Sequence, residues 1–207
     1  NYEPGIRGSI WQNRFYFDLS YFSTGLSNSI VTRRDAGGGN YYVNAGKTAQ
    51  QGFELALQYR LCNDASGYWF GSAVKTTYSH YRFRYKKFEQ AGNDYSDNAM
   101  PGVSPDNVNL LLDLTTKPGY YLNLTYAYTG KIWLNDANSA AAGAYHLLAA
   151  KAGYRFRSKK TTIHLFAGAD NITNTRYSSG NDINGFGGRY FNVAPGRTLY
   201  AGAGIGL

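Results

Sequence analysis

At 207 residues and a net charge of +8, with a mean hydropathy of −0.44, the chain holds no run of about 18 apolar residues and so no transmembrane helix. Twenty Tyr, 11 Phe and 3 Trp beside 25 Gly and only 5 Pro favour strands and turns over helices, because aromatic side chains suit pleated surfaces. The cations fall in small groups, Arg33-Arg34, Arg82 to Lys87 and Arg155 to Lys160, with no basic stripe or known module, which argues against nucleic-acid binding; low hydropathy leaves a membrane barrel open, since its strands are apolar only at alternate positions.

In chain order, Tyr2-Glu3-Pro4-Gly5-Ile6-Arg7-Gly8 opens a short strand that ends near Trp11, and Gln12-Asn13-Arg14 forms a tight turn. Phe15, Phe17, Leu19 and Tyr21 then alternate with Tyr16, Asp18 and Ser20, the period of a strand with one face in an apolar medium. This strand is expected to reach Arg34 with a break near Gly25, and Asp35 to Asn40, with its three glycines, is expected to be loop. Gly52 to Arg60 repeats the pattern, with Phe53, Leu55, Leu57 and Tyr59 opposed by Glu54, Ala56 and Gln58. The lone Cys62 has no partner for an intramolecular disulfide and precedes a turn signal, Asn63-Asp64-Ala65-Ser66-Gly67.

A fourth strand runs from Tyr68 to about Lys86, about twice the usual length, followed by an irregular loop from Lys87 to Pro105. Val108, Leu110, Leu112 and Leu114 share a face of the fifth. After the turn Lys117-Pro118-Gly119, the sixth is expected over Tyr120 to Trp133, with Leu122, Leu124, Tyr126 and Tyr128 on one side. Asn135 to Gly143 reads as loop. The seventh strand covers about Tyr145 to Arg157 and the eighth, past Ser158-Lys159-Lys160, covers Thr161 to Asp170. A long loop then leads to a last strand in which Leu199, Ala201, Ala203, Ile205 and Leu207 share one face, with Tyr200 and three glycines on the other.

Nine strands result, joined alternately by short turns and long loops, the pattern of an outer-membrane barrel. By that pattern the C-terminus lies on the short-turn, periplasmic side. Single-chain bacterial barrels have even strand numbers, so with nine either one strand goes unrecognised or the chain is the second part of a larger barrel. The chain starts at Asn1-Tyr2-Glu3 without the basic start and apolar core of a signal peptide, as expected of a processing site or a break in a longer polypeptide.

Several motifs stand in a fixed order: Tyr2 to Gly8, Gln51-Gly52-Phe53-Glu54, Met100-Pro101-Gly102-Val103-Ser104-Pro105, Asp170-Asn171-Ile172-Thr173-Asn174 before Tyr177, and Gly188-Arg189-Tyr190-Phe191-Asn192 before Pro195-Gly196-Arg197. Gly52 permits close backbone approach on a strand, Asn171 can fold its side chain back on the chain, and Pro195-Gly196 redirects the chain into the final strand. In this order and spacing the chain resembles the second half of TonB-dependent outer-membrane receptors of the siderophore-receptor type. It departs where Gln51 replaces a common Arg, Val193 a common Pro and Leu207 the usual terminal aromatic residue.

The resemblance implies an all-β, antiparallel transmembrane barrel of about 22 strands, of which residues 1–207 are the C-terminal portion, with plug and TonB-binding segment outside them. It implies a Gram-negative outer-membrane location, a ferric siderophore or other scarce nutrient as cargo, TonB as partner, contact with outer-membrane lipid and lipopolysaccharide, and no nucleic acid, cofactor or enzymatic chemistry. Because loops carry function and such cargo is often anionic or aromatic, the expected ligand contacts are Arg33, Arg34, Tyr41, Tyr42, Lys86, Lys87, Tyr177, Arg189 and Tyr190. His80, His146 and His164 fall in no metal-binding spacing, and no G-x-S-x-G elbow marks a hydrolase. The alternatives are a passive porin-like or structural barrel and a soluble β-barrel binder.

Overall fold

The computed structural model describes all residues except 35, 36, 38, 45, 63–66, 70, 91, 159 and 207, and the side chains of residues 31–34. Leu207 and most of the turn after Cys62 therefore lie outside the described residues. Nine strands make one antiparallel sheet, each hydrogen-bonded to its neighbours in sequence: β1 (Gly5–Ile10), β2 (Phe15–Ser27), β3 (Lys47–Arg60), β4 (Ala73–Lys87), β5 (Asp106–Thr115), β6 (Tyr120–Thr129), β7 (Tyr145–Arg157), β8 (Thr162–Asp170) and β9 (Thr198–Gly206).

The register shows why these residues form strands. Opposite residues share a face, and the pairings Leu19↔Leu55, Leu112↔Leu124, Leu124↔Ala150, Ala152↔Ala167 and Leu165↔Ala203 carry one apolar row across the sheet. The other face pairs Arg7↔Asp18, Asn123↔Asp113 and Asn123↔Lys151. The apolar row is uncovered: Leu165 is 50% exposed, Leu199 75% and Ile205 73%. Among the described residues the only helical turn is Phe186–Gly188, so no second layer takes up that face. Hydrocarbon is the solvent that suits it.

Aromatic side chains bracket the apolar row. Tyr120 and Tyr154 meet at a centroid distance of 4.6 Å near the short-turn end, while Tyr128 packs on His146 at 4.8 Å and Phe53 on Tyr78 at 5.3 Å near the other. Tyr120 and Tyr128 share a face of β6 eight residues apart, about 26 Å of strand and about 20 Å of membrane normal at a tilt of ~40°.

Strand ends differ from the expectations. β2 stops at Ser27, because Asn28 takes a left-handed conformation (φ 59°), and Gly25 stays in the strand opposite Ala49. Beyond it the chain forms a separate hairpin of Ile30–Arg34 with Asn40–Asn44, so the expected end of the second strand is strand but pairs apart from β2. β4 starts at Ala73 instead of Tyr68; Trp69 bridges Thr116 in the neighbouring turn. β6 ends at Thr129, and Ile132–Trp133 pairs with Ala141–Ala142. The connections at one rim are 11–14, 61–72, 116–119 and 158–161; at the other they are 28–46, 88–105, 130–144 and 171–197.

Candidate functional site

The long connections pack on each other. Tyr85 and Phe88 are fully buried at the upper end of β4, with Val43, Tyr95 and Met100 against them. Tyr85 donates its hydroxyl to Oδ1 of Asp136, also buried. Asn98 Nδ2 donates to the Asp136 carbonyl at 2.7 Å, and the Asp136 N–H donates to Asn184 Oδ1 at 3.2 Å. Asn138 closes a two-way pair with the Ala99 backbone, 2.9 Å each way. Segments 88–105, 130–144 and 171–197 are thus joined by amide side chains, which satisfy buried backbone groups that irregular loops would leave orphaned.

The two ends of the 171–197 loop are clamped to each other by residues of the Asp170 to Asn174 motif. Asn171 Oδ1 accepts the Thr175 N–H at 2.9 Å while its Nδ2 donates to the carbonyls of Thr175 at 2.9 Å and Pro195 at 3.3 Å. Asn174 Oδ1 accepts the Arg197 N–H at 3.0 Å, and a Cβ on Gly196 would stand 2.9 Å from that oxygen. The Asn171 side chain thus folds back as the sequence suggests.

Held by this clamp is an open cavity of about 630 Å³, lined by Tyr145, Arg176, Tyr177, Asn181, Phe191 and Asn192 among others. Tyr177 packs on Tyr145, centroids 4.9 Å apart and rings 32° from parallel. Rings, amides and one guanidinium in a concave site suit a small aromatic or anionic molecule. Tyr145 and Arg176 were not among the expected contacts: their relevance appears only when the 171–197 loop folds over the start of β7.

The expected contacts divide into two groups. Arg33 and Arg34, whose side chains lie outside the described residues, pair in the hairpin with Tyr41 and Asn40. Tyr41 accepts a hydrogen bond from Gln90 Nε2 at 3.4 Å, and Tyr42 is 71% exposed. Lys86 and Lys87 end β4 and are exposed; Lys86 Nζ lies 3.8 Å from Asp97 Oδ1, a weak pair at such exposure. In the second group Tyr177 lines the cavity, Arg189 follows the short helical turn, and Tyr190 accepts a hydrogen bond from Asn135 Nδ2 at 3.4 Å.

Among the charged loop groups, Asp94 is held below the usual carboxylate range by hydrogen bonds from the hydroxyl and backbone N–H of Ser96. A depressed carboxyl stabilises its turn above its unfolded pKa, and that contribution fades as pH falls through the lowered value. No group of three His, Cys, Asp or Glu side chains that could hold a metal occurs among the described residues.

The family model "TonB dependent receptor-like, beta-barrel" matches residues 1–172. Among solved structures, the siderophore receptor PiuA from Acinetobacter baumannii has a TM-score of 0.74 at 20% identity over 99% of this chain and 28% of that one. The ferric citrate transporter FecA in its unliganded form also gives 0.74, at 17% identity over 99% of this chain and 30% of its own. The copper transporter OprC gives 0.70 at 14% identity, over 99% and 30% respectively. At these identities the likeness is one of fold. The chain spans under a third of each of these proteins.

Proposed function

Because the chain belongs to the TonB-dependent receptor-like β-barrel family, we propose that it supplies the C-terminal strands and extracellular loops of an energised outer-membrane transporter whose cargo is a ferric siderophore. The family is one of Gram-negative outer-membrane receptors. In this reading residues 1–207 are one portion of a barrel of about 22 strands, and the segments that plug the lumen and engage TonB belong to the rest of the polypeptide. The short turns face the periplasm, with the end of β9, and the apolar row meets lipid and lipopolysaccharide.

The observation that carries the cargo class is the ring-lined cavity of the 171–197 loop at the long-loop rim. Tyr177 and Tyr145 offer stacked faces, Arg176 a cation, and Asn181 and Asn192 amides, matching a ligand that is both aromatic and anionic. Arg33, Arg34, Tyr41, Tyr42, Lys86, Lys87, Arg189 and Tyr190 are proposed as outer contacts that gather the anion before it reaches the cavity. No bond is made or broken by any of them, so the role is capture and passage, not catalysis.

The test is uptake of radiolabelled ferric siderophores by iron-limited cells expressing the full-length protein. Uptake that disappears when TonB is deleted supports the reading; uptake that persists without TonB points to a passive porin and overturns it. Tyr177→Ala with Tyr145→Ala should weaken capture about tenfold, from ~0.5–1.5 kcal/mol per lost ring contact. The folded barrel band on an unheated gel should be retained.

A further inference from the structure

Resting on the transport reading above, we propose that Lys151 and Arg155 on the polar face of β7 form a second, deeper anion-binding site, which takes the anionic cargo from the cavity of the 171–197 loop on its way down the lumen. Tyr145 lines that cavity, and its pairing with Thr129, with Lys151 opposite Asn123 and Gly153 opposite Tyr121, puts it on the same face of β7 as the two cations. Lys151 and Arg155 follow it by six and ten residues, about 20 and about 33 Å of strand at 3.3 Å per residue. At a tilt of ~40° that is about 15 and about 25 Å of depth below the cavity.

The two cations are seated on rings. Lys151 Nζ lies 4.2 Å from the centre of the Phe166 ring, and Arg155 Cζ lies 4.8 Å from that of Tyr121. Tyr121 is buried, its hydroxyl is 2.7 Å from His164 Nε2, and His164 packs on Phe166 with centroids 5.1 Å apart. One chain of rings on β6 and β8 thus carries both charges. The rings lie along the wall, because Tyr121 covers the backbone of Gly153 and Phe166 that of Gly202, where a Cβ would collide with them. Arg155 is exposed and Lys151 half-buried, so this part of the wall presents positive charge to the lumen.

That charge is not answered within the sheet. The carboxylates of the polar face on β2, β3 and β5 each have a donor: Tyr16 on Asp18 at 3.1 Å, Tyr81 on Glu54 at 2.6 Å and Asn123 on Asp113 at 2.6 Å. Among the described residues neither Lys151 nor Arg155 has a carboxylate within ion-pair distance, Asp170 at the upper end of β8 included. A cation held on a ring face is oriented while its N–H donors stay available. Two of them about 13 Å apart on one strand suit a ligand with several anionic oxygens that is bound and then released, since passage requires sites that admit their ligand without trapping it.

The experiment separates capture from passage in cells expressing the full-length protein. The probe is a radiolabelled ferric tris-catecholate, a trianion, with binding read in cells lacking TonB and uptake rate in cells that have it. Lys151→Gln/Arg155→Gln should leave binding unchanged and lower the maximal uptake rate about tenfold, the lower end of what charge focusing in a cleft supplies. Lys151→Arg/Arg155→Lys, which keeps both charges, should restore most of that uptake. Lys75→Gln, a cation lost from the same face on β4, should change neither measurement. If the double variant gives no folded band on an unheated gel, the single variants should each lower the rate about threefold.

Unchanged uptake, or binding that weakens in step with uptake, would overturn the site. So would entry of a bulky glycopeptide antibiotic into cells with the double variant and no TonB, because the cations would then be holding carboxylates of the segment that fills the lumen. Wild-type protein that takes up no probe, or takes it up without TonB, would instead overturn the reading of cargo and transport on which the site rests.

Discussion

At the scale of the residue, Asn171 joins the fold to the candidate site. Its backbone is left-handed (φ 47°), a conformation that Asn tolerates better than most residues, and its amide holds Thr175 and Pro195 together. Asn171→Gly keeps the backbone freedom and deletes only the side chain. The expected cost is about 1–3 kcal/mol, the range for buried polar groups that lose partners. Limited proteolysis of the full-length protein should then cut within 171–197 several times faster; unchanged cleavage would show that the clamp does not hold the loop. The role of Asn171 was legible in the sequence because Asx chemistry acts within a few residues. Gly52 was equally legible as a point of close approach: a Cβ there would lie 2.5 Å from the His80 carbonyl oxygen and within 3 Å of the Tyr81 and Phe22 rings. Tyr145 and Arg176 were not, because they become site residues only through contacts between distant segments.

At the scale of the element, alternation identified seven of the nine strands and their faces, since a period of two is written directly in residue order; the first and fourth were read from the turns that flank them and from length. Their ends were less legible. Tyr68 and Trp69 look like strand, yet their backbones serve the neighbouring turn, with Lys117 N–H donating to the Tyr68 carbonyl at 2.7 Å. In 28–46 the segment Ile30–Arg34 was read as strand but as a continuation of β2, and its partner Asn40–Asn44 was missed because the glycines and polar residues around it signal loop. The assignment of faces makes a sharp prediction on β6. Leu124 lies between Leu112 and Ala150 on the apolar row, whereas the adjacent Thr125 faces the other way. In lipid vesicles Leu124→Arg should cost about 2–4 kcal/mol and Thr125→Arg less than about 1 kcal/mol, read as shifts in the denaturant midpoint of the full-length protein. Equal shifts would mean that the two faces do not meet different solvents.

At the scale of the whole molecule, the sheet has two open sides, the outer edges of β1 and β9. Long, flat apolar edges pair with whatever strand reaches them, and the uncovered row on one face adds to the drive. The polar face makes a complementary demand. It carries Arg7, Glu54, Lys75, Asp113, Lys151 and Arg155 by register, with Arg155 4.8 Å from the Tyr121 ring and Lys151 4.2 Å from that of Phe166. Such a surface needs water or a polar filling, and closing the two edges through further strands provides a lumen for it. Closure can be read amide by amide. Backbone N–H groups of β1 and β9 that point away from β2 and β8 should be protected from hydrogen exchange in the full-length protein in bilayers, as strongly as those between β6 and β7. In the 207-residue chain produced alone and kept monomeric in detergent, the same groups should exchange orders of magnitude faster while the interior of the sheet remains protected. Fast exchange at both edges of the full-length protein would leave the sheet open, and the transport reading would lose the enclosed path it requires.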